Sequence, residues 1–335
     1  MPNNGPGLMA ILAHHRNRSV LPAMSLGLIL VCWPLLVTDA RLYYQVFGMA
    51  CLYGALALAW NIHALTGAIS LGHAAFFGLG AYGACLLEHY WHWPVLLSIL
   101  VGSIAGAAYG LLWGIAFQQL RGAYFALATL ASVEIPKVVI DNWDSVTFGS
   151  LGLIGIPQLP SIRFGHWELF IGGDPRGQYF FLLGFMALVS WLHRGAIRSR
   201  WGWAIRAIRE NESTASSIGI NVRLVRVQAV TLSSYLTAIC GALYAHLVGL
   251  IEPGLVFSLH LSALPLVLTM FGGRCHSYGP ILGALLLYPL DQLVFHPLLP
   301  AGHLALYGLA IIATISFFPH GVASWIQQRL GSAWN

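Results

Sequence analysis

Residues Leu42 to Leu87 read LYYQVFGMACLYGALALAWNIHALTGAISLGHAAFFGLGAYGACLL, a run with no Asp, Glu, Lys or Arg. About 20 apolar residues cross a bilayer as a helix, so this run alone is long enough for two crossings. Further uncharged runs extend from His89 to Leu120, Val227 to Ile251 and Gln292 to Gln328. Strands of a transmembrane barrel alternate polar and apolar positions; these runs do not, so the spans are helices. Composition agrees: of 335 residues, 58% are hydrophobic and 8% charged, against roughly 25% charged in an ordinary soluble domain. Sixteen basic and eleven acidic residues cannot cover a soluble chain of this length, which excludes a soluble enzyme and leaves an integral membrane protein.

Cutting the chain at charges, prolines and glycine-rich turns gives ten crossings, near 20–38, 42–61, 66–88, 94–118, 122–142, 178–194, 227–250, 260–274, 278–296 and 303–320. The third and eighth are glycine-rich or short and read as re-entrant or broken helices as readily as spans, so the fold expected is an all-α polytopic bundle of eight to ten transmembrane helices. Arg16 and Arg18 precede the first run with no small-residue cleavage site after it, so it reads as a retained span. With residues 1–19 in the cytoplasm, twelve basic residues fall inside and only Arg41, Lys137, Arg163 and Arg176 outside, as the positive-inside bias demands. The membrane domain is then 20–320, with an outer loop near 143–177, an inner loop near 195–226 and a cytoplasmic tail at 321–335. Five scattered cysteines, Cys32, Cys51, Cys85, Cys240 and Cys275, make no metal-ligand spacing and read as buried free thiols.

Lys137 is the only lysine, and it follows Pro136, so no phosphate-binding Gly-x-x-x-x-Gly-Lys loop exists. A Gly-x-Ser-x-Gly elbow and a His-Glu-x-x-His zinc motif are also missing; no catalytic residue, metal or cofactor is expected. Among intramembrane polar groups, Glu134 and Lys137 stand at i, i+3 and can neutralise each other, as a packing pair or in a substrate path. His73, in Ser70-Leu71-Gly72-His73, is a hydrogen-bonded packing histidine or a gate. Gly102, Gly106, Gly110 and Gly114 recur every four residues, a stripe for close helix packing. The less regular glycines around Gly72 and at Gly272, Gly273, Gly279 and Gly283 suit packing or broken helices equally. Within the inner loop, Trp203 to Ile218 (WAIRAIRENESTASSI) is a short amphipathic helix with a polar interruption, stopped by Gly219.

The combination of Asn61, Thr66 to Gly78, Arg121 to Ala126, Asp141-Asn142-Trp143, Arg206 to Glu212 with Gly219 to Val222, Cys240 to Ala245, and Gly272-Gly273-Arg274 before Gly279-Pro280 resembles the permease subunits of branched-chain amino-acid ABC importers, a group related to urea and ribose permeases. The resemblance implies a non-catalytic permease of the bacterial inner membrane with both termini cytoplasmic. Its implied partners are two ATP-binding cassette ATPases, a homologous second permease and a periplasmic substrate-binding protein. It also implies that residues 203–222 couple to the ATPase, with an apolar face seated in the ATPase and Arg206, Arg209, Glu210, Glu212 and Gly219 setting the geometry. Ser70, His73, Phe76, Glu134, Gly272 and Gly273 are the candidates for a translocation path. Ser213 to Ser217 and Cys275-His276 depart from the family pattern. A urea or short-amide permease and a stand-alone secondary transporter remain open on the residues alone.

Overall fold

The computed structural model describes residues 41–164, 167–169, 171–274 and 276–300, with scattered positions from 302 to 324. The expected first span, most of the tenth, residues 1–19, the tail from 325, Cys32 and Cys275 lie outside the described residues. A unit ending at Tyr44 contributes only the first turn of one helix to what is described, and the rest belongs to a second unit from Gln45 onward.

Besides short helical turns at Asp144–Thr147, Pro253–Val256 and His296–Leu298, the described helices are α1 (Arg41–Ala64), α2 (His73–Trp91), α3 (Val95–Ala116), α4 (Gly122–Ala131), α5 (Glu134–Asn142), α6 (Pro175–Arg198), α7 (Arg200–Glu210), α8 (Glu212–Ser217), α9 (Val222–Val248), α10 (Leu259–Gly272) and α11 (Gly279–Leu290). Among the described residues, seven stretches are long and apolar enough to cross a membrane, three of them made of consecutive helices: Gly122–Asn142, Pro253–Gly272 and Gly279–Leu298. The chain is thus a multi-pass helical membrane protein. α2 is not among the seven, because it carries His73, Glu88 and His89 among small residues. It needs no lipid-compatible surface, since α3 and α9 pack along it and most of its residues are buried.

The glycine stripe on α3 makes that packing possible, as its four-residue period predicts. A Cβ on Gly102 would strike Ala84 of α2, one on Gly106 would meet Ala238 of α9, and one on Gly110 would strike Ser234. Reciprocally, Gly80 of α2 lies against the Ala238 backbone and Gly241 of α9 against the Phe77 carbonyl. Without a hydrophobic drive between helices in lipid, such backbone proximity is what holds a bundle together. Cys51, Cys85 and Cys240 are buried free thiols.

Two spans are interrupted, and two helix starts move. The fifth span keeps its expected bounds, Gly122–Asn142, but is interrupted at Ser132–Val133 into α4 and α5. Pro136 has no N–H for the Ser132 carbonyl, four residues back, and the Tyr109 hydroxyl of α3 donates to that carbonyl instead at 2.7 Å. The eighth span is short and broken, one of the readings its sequence left open: a helical turn over Pro253–Val256 and α10 are separated at Phe257–Ser258, and only together are they long enough to cross. Two boundaries also move outward: Asp174 accepts from the Arg176 amide and starts α6 ahead of Pro175, and Asn221 accepts from Leu224 N at 3.1 Å and starts α9.

Loops gather at two ends. The turns after α1, α3 and α10 meet the arginine-rich α7–α8 segment around shared cavities. At the opposite end β1 (Leu153–Ile154) pairs antiparallel with β4 (Leu250–Ile251), and β2 (Ile162–Phe164) forms a hairpin with β3 (Trp167–Leu169).

Candidate functional site

The non-helical stretch between α1 and α2 sets up a buried polar core. Ser70 Oγ lies 3.1 Å from His73 Nδ1 and accepts from Gly72 N, while His73 Nε2 lies 2.9 Å from Ser233 Oγ of α9. Ser233 in turn donates to the Ala59 carbonyl of α1 at 2.7 Å. One set of protons satisfies every bond. Ser70 donates to Nδ1, and Nε2–H donates to Ser233, so the chain runs from a backbone N–H to a backbone C=O through a neutral imidazole; the tautomer is inferred from its partners. Phe76, fully buried, caps the imidazole edge-on at 5.3 Å and packs on Trp113 at 4.6 Å. This closed network ties α1, α2 and α9 together at the point where α2 begins.

The same region holds the α4–α5 break. Thr129 Oγ1 accepts from Leu71 N at 3.1 Å, and Ser132 Oγ donates to the Thr129 carbonyl at 2.7 Å. A Tyr109→Phe variant should lose the donor that satisfies Ser132 O. Leaving a buried acceptor unpaired costs about 1–3 kcal/mol. A lower thermal midpoint of the purified chain is expected, and an unchanged midpoint would show that the break is held otherwise.

At the arginine-rich end, α7 and α8 are separated by Asn211, whose side chain accepts from Thr214 N and caps α8. Gly219, at φ +88°, ends the segment: Gly219 N donates to Ser216 O and Ile220 N to Ala215 O. The expected single amphipathic helix is therefore two. Its apolar face is also not outward: Ile205, Ile208 and Ala215 are buried against Val222, Val225 and Ala229 of α9. The outward face carries Trp203, Arg206, Glu210 and Ile218. Arg206 stacks on Trp203 at 4.3 Å and donates to the Ile197 carbonyl. Arg209 is half-buried, facing the cavity beside Gly67. Glu212 turns inward, bonded to Arg121, the extended residue just before α4, at 3.1 Å and to both terminal nitrogens of Arg226 of α9 at 3.2 and 3.1 Å.

The other candidates lie apart. Glu134 on α5 is paired with Lys137 at 3.6 Å and is 62% exposed, so the pair is not buried within this chain. Gly272 sits where α10 crosses α11, so close that a Cβ would strike the Gly279 carbonyl, and Gly273 turns the chain at φ +106°. This turn reaches α1 through Asn61, whose Nδ2 donates to Arg274 O and lies 3.3 Å from His193 Nε2 of α6. Sequence reasoning named Ser70 and His73 but missed Ser233 and Thr129, for which the only signal is a hydroxyl in mid-span. It took Arg226 as a topology marker alone and Arg121 as a topology marker and the start of a family motif, and foresaw the pairing of neither with Glu212.

A broken-helix bundle with a buried polar seam and a capped amphipathic segment at one end is the architecture of a membrane permease. The family model described as branched-chain amino acid transport system / permease component matches residues 42–315, and the chain belongs to that family. It is 29% identical over 282 residues to the high-affinity branched-chain amino acid transport system permease protein LivM of Salmonella typhimurium, a match covering 79% of this chain. That match spans 66% of the relative's length, just under two thirds. LivH of Escherichia coli is 23% identical over 252 residues, covering 70% of this chain and 79% of LivH. The nucleoside ABC transporter permease protein NupC of Lactococcus lactis is 30% identical over 157 residues, 44% of this chain and 48% of NupC. No solved structure matches.

Proposed function

We propose that the chain is the membrane-spanning permease subunit of an ATP-driven importer for branched-chain amino acids. It pairs with a second, homologous permease, takes substrate from a periplasmic binding protein and is powered by two cytoplasmic ATPases. The arginine-rich end faces the cytoplasm of an inner membrane, and both termini lie there. The chain itself catalyses no reaction. The observation that carries this reading is the α7–α8 segment: it is seated on α9 by its own apolar face, tied by Glu212 to α4 and α9, and presents Trp203, Glu210 and Ile218 outward.

A push on that outward face reaches α9 directly and, through Ser233, the His73 network at the start of α2. Ser70, His73 and Phe76 on this reading position the helices that line the path rather than contact substrate. Gly272 and Gly273 hold α10 against α11 in the same way.

The test is uptake of labelled leucine, isoleucine and valine by proteoliposomes holding the full set of subunits. Uptake is expected only with ATP, and only with the binding protein present. Uptake by this chain without any ATPase would instead identify a secondary transporter. Uptake of nucleosides or urea in place of the amino acids would change the substrate and keep the architecture.

A further inference from the structure

A cavity of about 320 Å³ lies between the stretch after α1, the end of α3, the start of α4 and the α7–α8 break. Trp113, Phe117 and Phe125 make one wall apolar, while His63 and Arg226 stand among its polar lining. His63 is only 4% exposed, and neither of its ring nitrogens has a hydrogen-bond partner among the described residues. Arg226 spends both terminal nitrogens on Glu212 and leaves its buried Nε–H unpartnered. Unpaired buried donors of this kind cost free energy until something accepts from them. Three arginines (Arg121, Arg209, Arg226) against two glutamates (Glu210, Glu212) leave the lining one positive charge in excess.

We propose that this cavity binds a small organic carboxylate with an apolar tail. The carboxylate oxygens accept from an N–H of His63 and from Arg226 Nε–H, a charge-assisted pair. The tail lies along Trp113, Phe117 and Phe125. The volume, about 320 Å³, is at the low end for ligand pockets and suits a small ligand. Bound there, the ligand braces α1 and α9 beneath the break between α7 and α8. The site is internal to this chain and concerns binding alone, independent of which compound the chain transports.

The test is calorimetric titration of the purified full-length chain in nanodiscs with 3-methylbutanoate, L-leucine and inorganic phosphate as separate probes. Saturable binding of 3-methylbutanoate is expected, weakened tenfold or more in His63→Ala. The same loss is expected in Ala68→Phe, which fills the cavity from its half-exposed rim without touching a charge. Equal binding of L-leucine identifies a free amino acid as the ligand, and loss of that arm identifies its deaminated acid. Binding of phosphate alone overturns the proposal. So does the absence of saturable heat with either carboxylate, or heat unchanged in both variants, which leaves a hydrated cavity. Failure of amino-acid uptake in proteoliposomes would unseat the transport reading and leave this measurement intact.

Discussion

Gly241→Leu and Gly80→Leu are expected to abolish accumulation of the folded chain in the membrane. Both glycines sit on the seam between α2 and α9, and in both cases the first atom a side chain would meet is backbone: the Phe77 carbonyl for Gly241, the Ala238 backbone for Gly80. A backbone carbonyl cannot rotate aside as a side chain can, so the two helices must separate along the seam. Overpacking a well-packed core typically costs about 1–3 kcal/mol, occasionally more. Here the separation also pulls Ser233 from His73, a bond at 2.9 Å, and opens the α3 stripe that fits the same groove. The cost therefore falls at or beyond the upper end of that range. Gly184→Ala on α6 is the control, because nothing lies within 4 Å of a Cβ there. Alanine in place of a mid-helix glycine gains about 0.5–1 kcal/mol. The measurement is yield of monodisperse protein and its thermal midpoint; wild-type behaviour of Gly241→Leu would show that the seam is looser than described.

The packing of α3 against α2 and α9 was legible in its stripe, because a four-residue glycine period lines one helix face for close approach. The role of α2 was not. His73, Glu88 and His89 lower its hydropathy, and nothing local in the sequence says that α3 and α9 pack along it. The α4–α5 break had a visible signal in Pro136, but what stabilises it, the Tyr109 hydroxyl, comes from another helix and leaves no local trace. The amphipathic pattern of Trp203 to Ile218 was correct in its period, yet periodicity does not say what covers the apolar face. The structure supplies α9, so any ATPase contact would have to use the opposite face, where Trp203 and Ile218 interrupt the polar residues. Charges were read by number and side. Their pairing, Glu212 with residues 91 and 14 positions away, is tertiary information.

Glu212→Lys is expected to lower ATP-coupled uptake at least tenfold while the permease stays folded and in the membrane. Glu212 receives three hydrogen bonds, and the two from Arg226 form a bidentate fork, the stronger geometry for a guanidinium and a carboxylate. The two legs are unequal. The Arg121 side chain is 69% exposed, so that leg is screened and contributes at most about 1 kcal/mol. Arg226 and Glu212 are 24% and 27% exposed, which places the fork between an exposed pair and a buried one, at about 1–3 kcal/mol when one partner is removed. Lysine goes further than loss, since it sets a third cation between Arg121 and Arg226. The segment itself survives: Ile205, Ile208 and Ala215 remain packed on α9, and Asn211 still caps α8. What is lost is the rigid connection from α8 to α4 and α9, so ATP hydrolysis by the partner subunits is expected to continue with little transport. Glu212→Gln, which keeps the shape and removes the charge, falls between wild type and Glu212→Lys. The charge-swapped pair Glu212→Arg with Arg226→Glu restores part of the uptake, and the double-mutant cycle gives the coupling energy directly. Full uptake in Glu212→Lys, or no rescue by the swap, would place the transmission of force elsewhere in the chain.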